Sequence, residues 1–114
     1  MLIRLKESYL VASGDVYLEV VVGQGQKGYV EVLLGGAFVT DGKEIRKHNL
    51  GKGTNLAGRK LRVTTTVADT NPNTNLTTVT YTLSGGKVNK TWESRHTVSA
   101  PGGSADYDAI FLLI

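Results

Sequence analysis

The stretch Lys60-Leu-Arg-Val-Thr-Thr-Thr-Val-Ala68 sets Leu61, Val63, Thr65 and Val67 on one parity and Arg62, Thr64 and Thr66 on the other. Successive side chains of an extended chain point to opposite faces, so this period of two predicts a strand with one buried face. The same alternation recurs on both sides of it. Residues 15–22 place Val16, Leu18, Val20 and Val22 together, and residues 76–84 place Val79, Tyr81 and Leu83 opposite a row of threonines. Residues 29–34 and 106–114 are also extended, the latter with Tyr107, Ala109, Phe111 and Leu113 against Ile110, Leu112 and Ile114. Because both of its faces are apolar, this last strand is expected to be central and buried.

The connections read as turns. Gly23-Gln-Gly-Gln-Lys-Gly28 between two strand patterns predicts a hairpin of 15–22 with 29–34, and the polar run Asp69-Thr-Asn-Pro-Asn-Thr-Asn75 predicts another of 60–68 with 76–84. Asp41-Gly42 supplies the positive φ values of a type I′ turn, which predicts a short hairpin of 37–40 with 43–46. Residues 47–59 are rich in glycine, lysine and asparagine without periodicity and read as a long surface loop. In residues 87–98, Val88, Trp92 and Val98 share a parity with His96, making Trp92 the expected core anchor.

About eight such strands in one short chain predict an all-β fold, an antiparallel two-sheet sandwich of jelly-roll, C2-like or immunoglobulin-like connectivity. A small closed barrel is the alternative. At 114 residues the chain 1–114 is expected to form a single domain. With 40% hydrophobic residues it holds enough apolar surface to offset the entropy of ordering, so disorder is excluded. No internal repeat marks a propeller or solenoid.

Composition also narrows the chemistry. There is no cysteine, hence no disulfide framework and no thiolate zinc site, and two histidines without H-x-x-x-H spacing argue against histidine-bound zinc. Charges interrupt residues 1–7 before a signal-peptide core could form, and no apolar run approaches a membrane span, so a soluble chain is expected. Its compartment is not legible.

Several motifs have local readings. Gly23 to Gly28 matches G-x-G-x-x-G, yet a strand rather than a helix follows, so a flexible turn is expected instead of a dinucleotide site. Gly51-Lys-Gly-Thr54 resembles the tail of a P-loop but lacks the upstream glycine, since position 46 is arginine. Asp69, Asn71, Asn73 and Asn75 offer oxygen donors at alternate positions, a pattern of low specificity that can converge on calcium if Asp106 or Asp108 joins it; side-chain-capped Asx turns are the commoner reason for such a run. No other cofactor is indicated.

No nucleophile, base and orienting acid form a recognisable set. Glu19 and Glu31, on facing strands of the expected first hairpin, are the one carboxylate pair that would suit a small hydrolase. Lys43, Arg46, Lys47, Lys52, Arg59, Lys60 and Arg62 concentrate basic charge in one region and suggest contact with an anionic surface, a glycan or an acidic protein. Interleaved aromatics are missing there, which disfavours specific nucleic-acid binding. The threonine- and asparagine-rich turns resemble in composition those of bacterial surface-type β modules, a likeness that names no activity.

The resulting expectation is a non-catalytic binding or assembly module that meets a protein, glycan or anionic surface through loops or a sheet edge. A carboxylate-dependent hydrolase and a structural subunit, joined through residues 111–114 and Leu33-Leu34, are the alternatives.

Overall fold

Nine strands and one turn of helix follow in the order β1 (Leu2–Tyr9), β2 (Asp15–Val22), β3 (Lys27–Leu34), β4 (Ala37–Gly42), β5 (Ile45–Lys52), α1 (Gly53–Leu56), β6 (Lys60–Ala68), β7 (Leu76–Ser84), β8 (Lys90–Thr97) and β9 (Ser104–Leu113). They come from a computed structural model that describes residues 2–114. A five-stranded sheet ordered β1-β9-β6-β3-β4 packs on a four-stranded sheet ordered β5-β2-β7-β8, so the fold is a β-sandwich. Every pairing is antiparallel except β1 with β9, and both sheets keep free edges, unlike a closed barrel.

The core follows the alternation. Val16, Leu18 and Val20 of β2 and Val79, Tyr81 and Leu83 of β7 bury against Val30 and Val32 of β3, Leu61, Val63 and Val67 of β6, and Tyr107, Ala109, Phe111 and Leu113 of β9. Burial of apolar area at about 25 cal/mol per Å² is the main force holding the two sheets together. Trp92, half-buried on edge strand β8, packs its ring 4.9 Å from Phe111 and 6.4 Å from Tyr9, centroid to centroid. Val88, expected beside it, lies in the β7–β8 turn and is 64% exposed.

Apart from β5, the strands are legible in the sequence, but their partners are not. Only β3–β4 and β7–β8 are consecutive strands that pair; every other connection carries the chain from one sheet to the other. The expected hairpins of 15–22 with 29–34 and of 60–68 with 76–84 are therefore sheet-to-sheet crossings. Asp41 and Gly42 do not turn a hairpin either: they end β4, opposite Glu31 and Val30, before the chain crosses to β5. Gly35-Gly36, with φ of 57° and 85°, makes the real β3–β4 turn.

Two further expectations need correction. Residues 47–59 are not a loop, since they contain most of β5 and all of α1. β5 shows no clear period in the sequence because two register shifts against β2 break it, and Lys47 sits at φ 43° in one of them. β9 is not buried on both faces. Its inner residues are buried, but Ile110 is half-buried and Leu112 is 37% exposed on the outer surface of the sheet.

Candidate functional site

Two regions gather polar side chains: the loop end of the sandwich around residues 69–75, and the outer face of the five-stranded sheet.

At the loop end, Gln26 is buried and satisfies its whole amide. Its Oε1 accepts from the backbone N–H groups of Thr70 and Asn71, both at 2.8 Å, while Nε2 donates to the carbonyls of Thr74 and Leu76 at 3.1 and 3.0 Å. Asn71 donates from Nδ2 to the Gln24 carbonyl at 2.8 Å, and its Oδ1 accepts the Asn73 N–H at 3.0 Å, an Asx turn. These contacts bind the β2–β3 crossing to the β6–β7 crossing. They also explain Gly23 to Gly28: Gly25 adopts φ 67° in the turn, and a Cβ on Gly28 would collide with Val22. Likewise a Cβ on Gly53 would collide with the Ala12 carbonyl, so the Gly51 to Thr54 motif packs the chain instead of cradling phosphate.

Of the calcium candidates, Asp69 is 5% exposed and its carboxylate finds no hydrogen-bond partner among the described residues, whereas Asn73 is exposed and Asn75 half-buried. Asp106 and Asp108 do not join them, because both face outward from β9: Asp106 accepts a hydrogen bond from Thr66 Oγ1 at 3.0 Å, and Asp108 pairs with Arg62. Among the described residues no group of three or more His, Cys, Asp or Glu is placed to hold a metal.

The proposed hydrolase pair is taken apart by the fold. Glu19 points out of the four-stranded sheet opposite Thr82, and Glu31 points out of the five-stranded sheet opposite Thr64 and Asp41. Sheets pack about 10 Å apart, so the two carboxylates stand on opposite sides of the molecule.

The basic region is also divided. Lys43 lies at the β4–β5 crossing, Arg46 pairs with Glu44 at 3.1 Å, Lys47 occupies the β5 irregularity and Lys52 approaches Asp15 at 3.7 Å. Arg59 stands in the link after α1. Lys60 and Arg62 alone reach the outer face of the five-stranded sheet, where they meet Arg4 and Lys6, which the sequence did not single out.

That meeting is a consequence of register. Residues directly opposite in a sheet point to the same side. Arg4 lies opposite Asp108, Lys6 opposite Ile110, Ile110 opposite Arg62, Arg62 opposite Leu33, Leu33 opposite Phe38, and Lys60 opposite Leu112. Arg62 grips Asp108 with two parallel hydrogen bonds, Nε–Oδ1 at 2.9 Å and Nη2–Oδ2 at 3.0 Å, and this bond holds the guanidinium above its usual pKa.

Ile110 is the centre of the patch. It lines three adjoining grooves: one of about 230 Å³ with Leu33, Gly36, Lys60 and Arg62, one of about 300 Å³ with Lys6, Lys60 and Leu112, and one of about 350 Å³ with Arg4, Lys6 and Asp108. Phe38, 60% exposed, extends the apolar row to the β4 edge. The other half of the face, toward the loop end, is acidic, with Asp106, Glu31 and Asp41; there the Tyr29 hydroxyl donates to Asp41, and this bond raises the phenol pKa.

Comparison with known proteins adds no identity: no family model matches the chain, and neither a curated protein nor a solved structure does. Among the described residues no helix is long and apolar enough to cross a membrane.

Proposed function

We propose that this chain is a non-catalytic binding module whose contact surface is the basic, apolar half of the five-stranded sheet's outer face, and that its partner is an acidic protein surface. The observation that carries the reading is Ile110 at the meeting point of three grooves rimmed by Lys6, Lys60 and Arg62. An apolar centre with a charged rim is the usual anatomy of a protein contact. Lysine stems add aliphatic surface to such a patch while their ammonium groups seek carboxylates. The apolar row Leu33, Phe38, Ile110 and Leu112 offers more aliphatic than aromatic surface, which favours a protein partner over a glycan.

The test is an amide-shift titration of isotope-labelled protein with a synthetic peptide alternating glutamate and leucine, set beside a heparin oligosaccharide. Peptide-induced shifts centred on Lys6, Lys60, Arg62 and Ile110 are expected, and Lys60→Glu should weaken the complex about tenfold, equivalent to about 1.4 kcal/mol. Shifts confined to the loop end, or a stronger response to heparin at these residues, would defeat the assignment.

A further inference from the structure

Among the described residues the sandwich has four free strand edges, and two of them, β4 and β5, are irregular. β4 carries a register shift with Val39 as the extra residue, β5 carries two shifts, and β1 presents Arg4, Lys6 and Glu7. Charges and bulges of this kind keep edges from pairing with other chains. β8, like β1, runs in register with its one neighbour and carries charge, Lys90, Glu93 and Arg95. But where β1 sets the like charges Arg4 and Lys6 two positions apart, β8 sets the opposite charges Glu93 and Arg95 two positions apart, and among the described residues no strand lies on its far side.

The sequence of that edge is Thr91-Trp-Glu-Ser-Arg-His-Thr97. Read outward from Ser94, it pairs Glu93 with Arg95, Trp92 with His96 and Thr91 with Thr97. A strand laid antiparallel on a copy of itself about a two-fold axis at Ser94 therefore sets Glu93 opposite Arg95 of the second copy, twice. Thr91 falls opposite Thr97 on the same outer face, and Trp92 opposite His96 on the inner one. Opposite charges and paired threonines are the favourable cross-strand combinations of an antiparallel pair. In the single chain Glu93 and Arg95 already lie side by side at 3.3 Å, with about half or more of each side chain exposed, so both are free to reach across.

We propose that β8 pairs with β8 of a second copy of this chain, joining two four-stranded sheets into one continuous sheet. The contact is isologous, so it closes at two copies instead of growing into a fibre. It also shields Trp92, which the single chain leaves half-buried at the edge. Because the two-fold axis runs perpendicular to the joined sheet, both five-stranded sheets lie on the same side. Their Ile110-centred faces then point the same way, a bivalent arrangement that would serve the proposed contact surface but does not depend on it.

Charge exchange tests the pairing with the full chain. Sedimentation equilibrium from micromolar to millimolar concentration should show a monomer–dimer equilibrium for the wild type. Glu93→Arg alone, or Arg95→Glu alone, places like charges opposite each other twice and should weaken the dimer at least tenfold. The double exchange E93R/R95E restores opposite charges and should restore the dimer, and an equimolar mixture of the two single variants should form a mixed dimer. Tryptophan emission, which should shift to shorter wavelength as the dimer forms, gives an independent readout at Trp92. A wild type that stays monomeric to millimolar concentration overturns the proposal. So does a dimer that the single exchanges leave intact, or one that the double exchange fails to restore.

Discussion

The two outer faces of the sandwich differ although their inner faces obey the same rule. The outer face of the four-stranded sheet is mostly polar, with Thr80, Thr82 and Ser84 on β7 beside Tyr17, Glu19 and Val21 on β2, and with Thr82 and Thr91 hydrogen-bonded across β7 and β8 at 3.1 Å. The outer face of the five-stranded sheet carries Leu33, Phe38, Ile110 and Leu112 among Arg4, Lys6, Lys60 and Arg62. The core itself is filled by the residues one position away. In β9 the lesson is compressed into neighbours: Phe111 is fully buried and meets Trp92, while Ile110 next to it turns outward into the grooves. Alternation thus places a core residue and the centre of the proposed contact surface side by side on one strand.

The strongest way to break this comparison is to remove the inner member. Phe111→Ala should lower unfolding free energy by about 3–5 kcal/mol, because the surrounding rings of Tyr81 and Trp92 cannot collapse fully into the space. Chemical denaturation measures it, and a loss below about 1 kcal/mol would mean the ring is not part of a packed core.

Next in size is Gln26→Leu at the loop end. It leaves the N–H groups of Thr70 and Asn71 and the carbonyls of Thr74 and Leu76, all part-buried, without their partner, and a cost of about 1–3 kcal/mol follows from the unpaired polar groups. Faster amide exchange at Thr70 and Asn71 should accompany it. Unchanged protection there would show that the crossings are held by something other than this amide.

The smallest effect sharpens the contrast through pH. Burial raises the Tyr81 and Tyr107 hydroxyls, and the bond to Asp41 raises Tyr29 on the outer face. Unfolded tyrosine ionises near pH 10, so above that value the unfolded chain loses protons that the folded chain retains. Stability contributed by these groups is therefore complete below about pH 10 and declines as pH rises toward their folded values. Tyr29→Phe should remove only the outer, exposed part of the decline; an ultraviolet titration of the phenols at rising pH reads it directly.

Much of the fold could be read from the alternation of 15–22, 60–68 and 76–84, because burial of one face imposes a period of two that local sequence must carry. Partner choice could not. A crossing such as Gly23 to Gln26 uses the same glycine-rich vocabulary as a hairpin, and only packing decides whether the next strand pairs or changes sheet. β5 was hidden by its irregularities at Lys47 and Gly51, which the chain takes at φ 43° and 115°. The proposed contact face was half legible. Lys60 and Arg62 stood out as charge, but Arg4 and Lys6 reach them only because β1 lies alongside β9, a pairing between the two ends of the chain that no local pattern records.

The central claim, that neighbouring residues of β9 separate folding from contact, is tested most directly by Ile110→Asp read two ways on one sample. This variant should keep a denaturation midpoint close to that of the wild type and lose the amide shifts induced by the glutamate–leucine peptide. A variant that unfolds as Phe111→Ala does, or that binds the peptide as the wild type does, would contradict it.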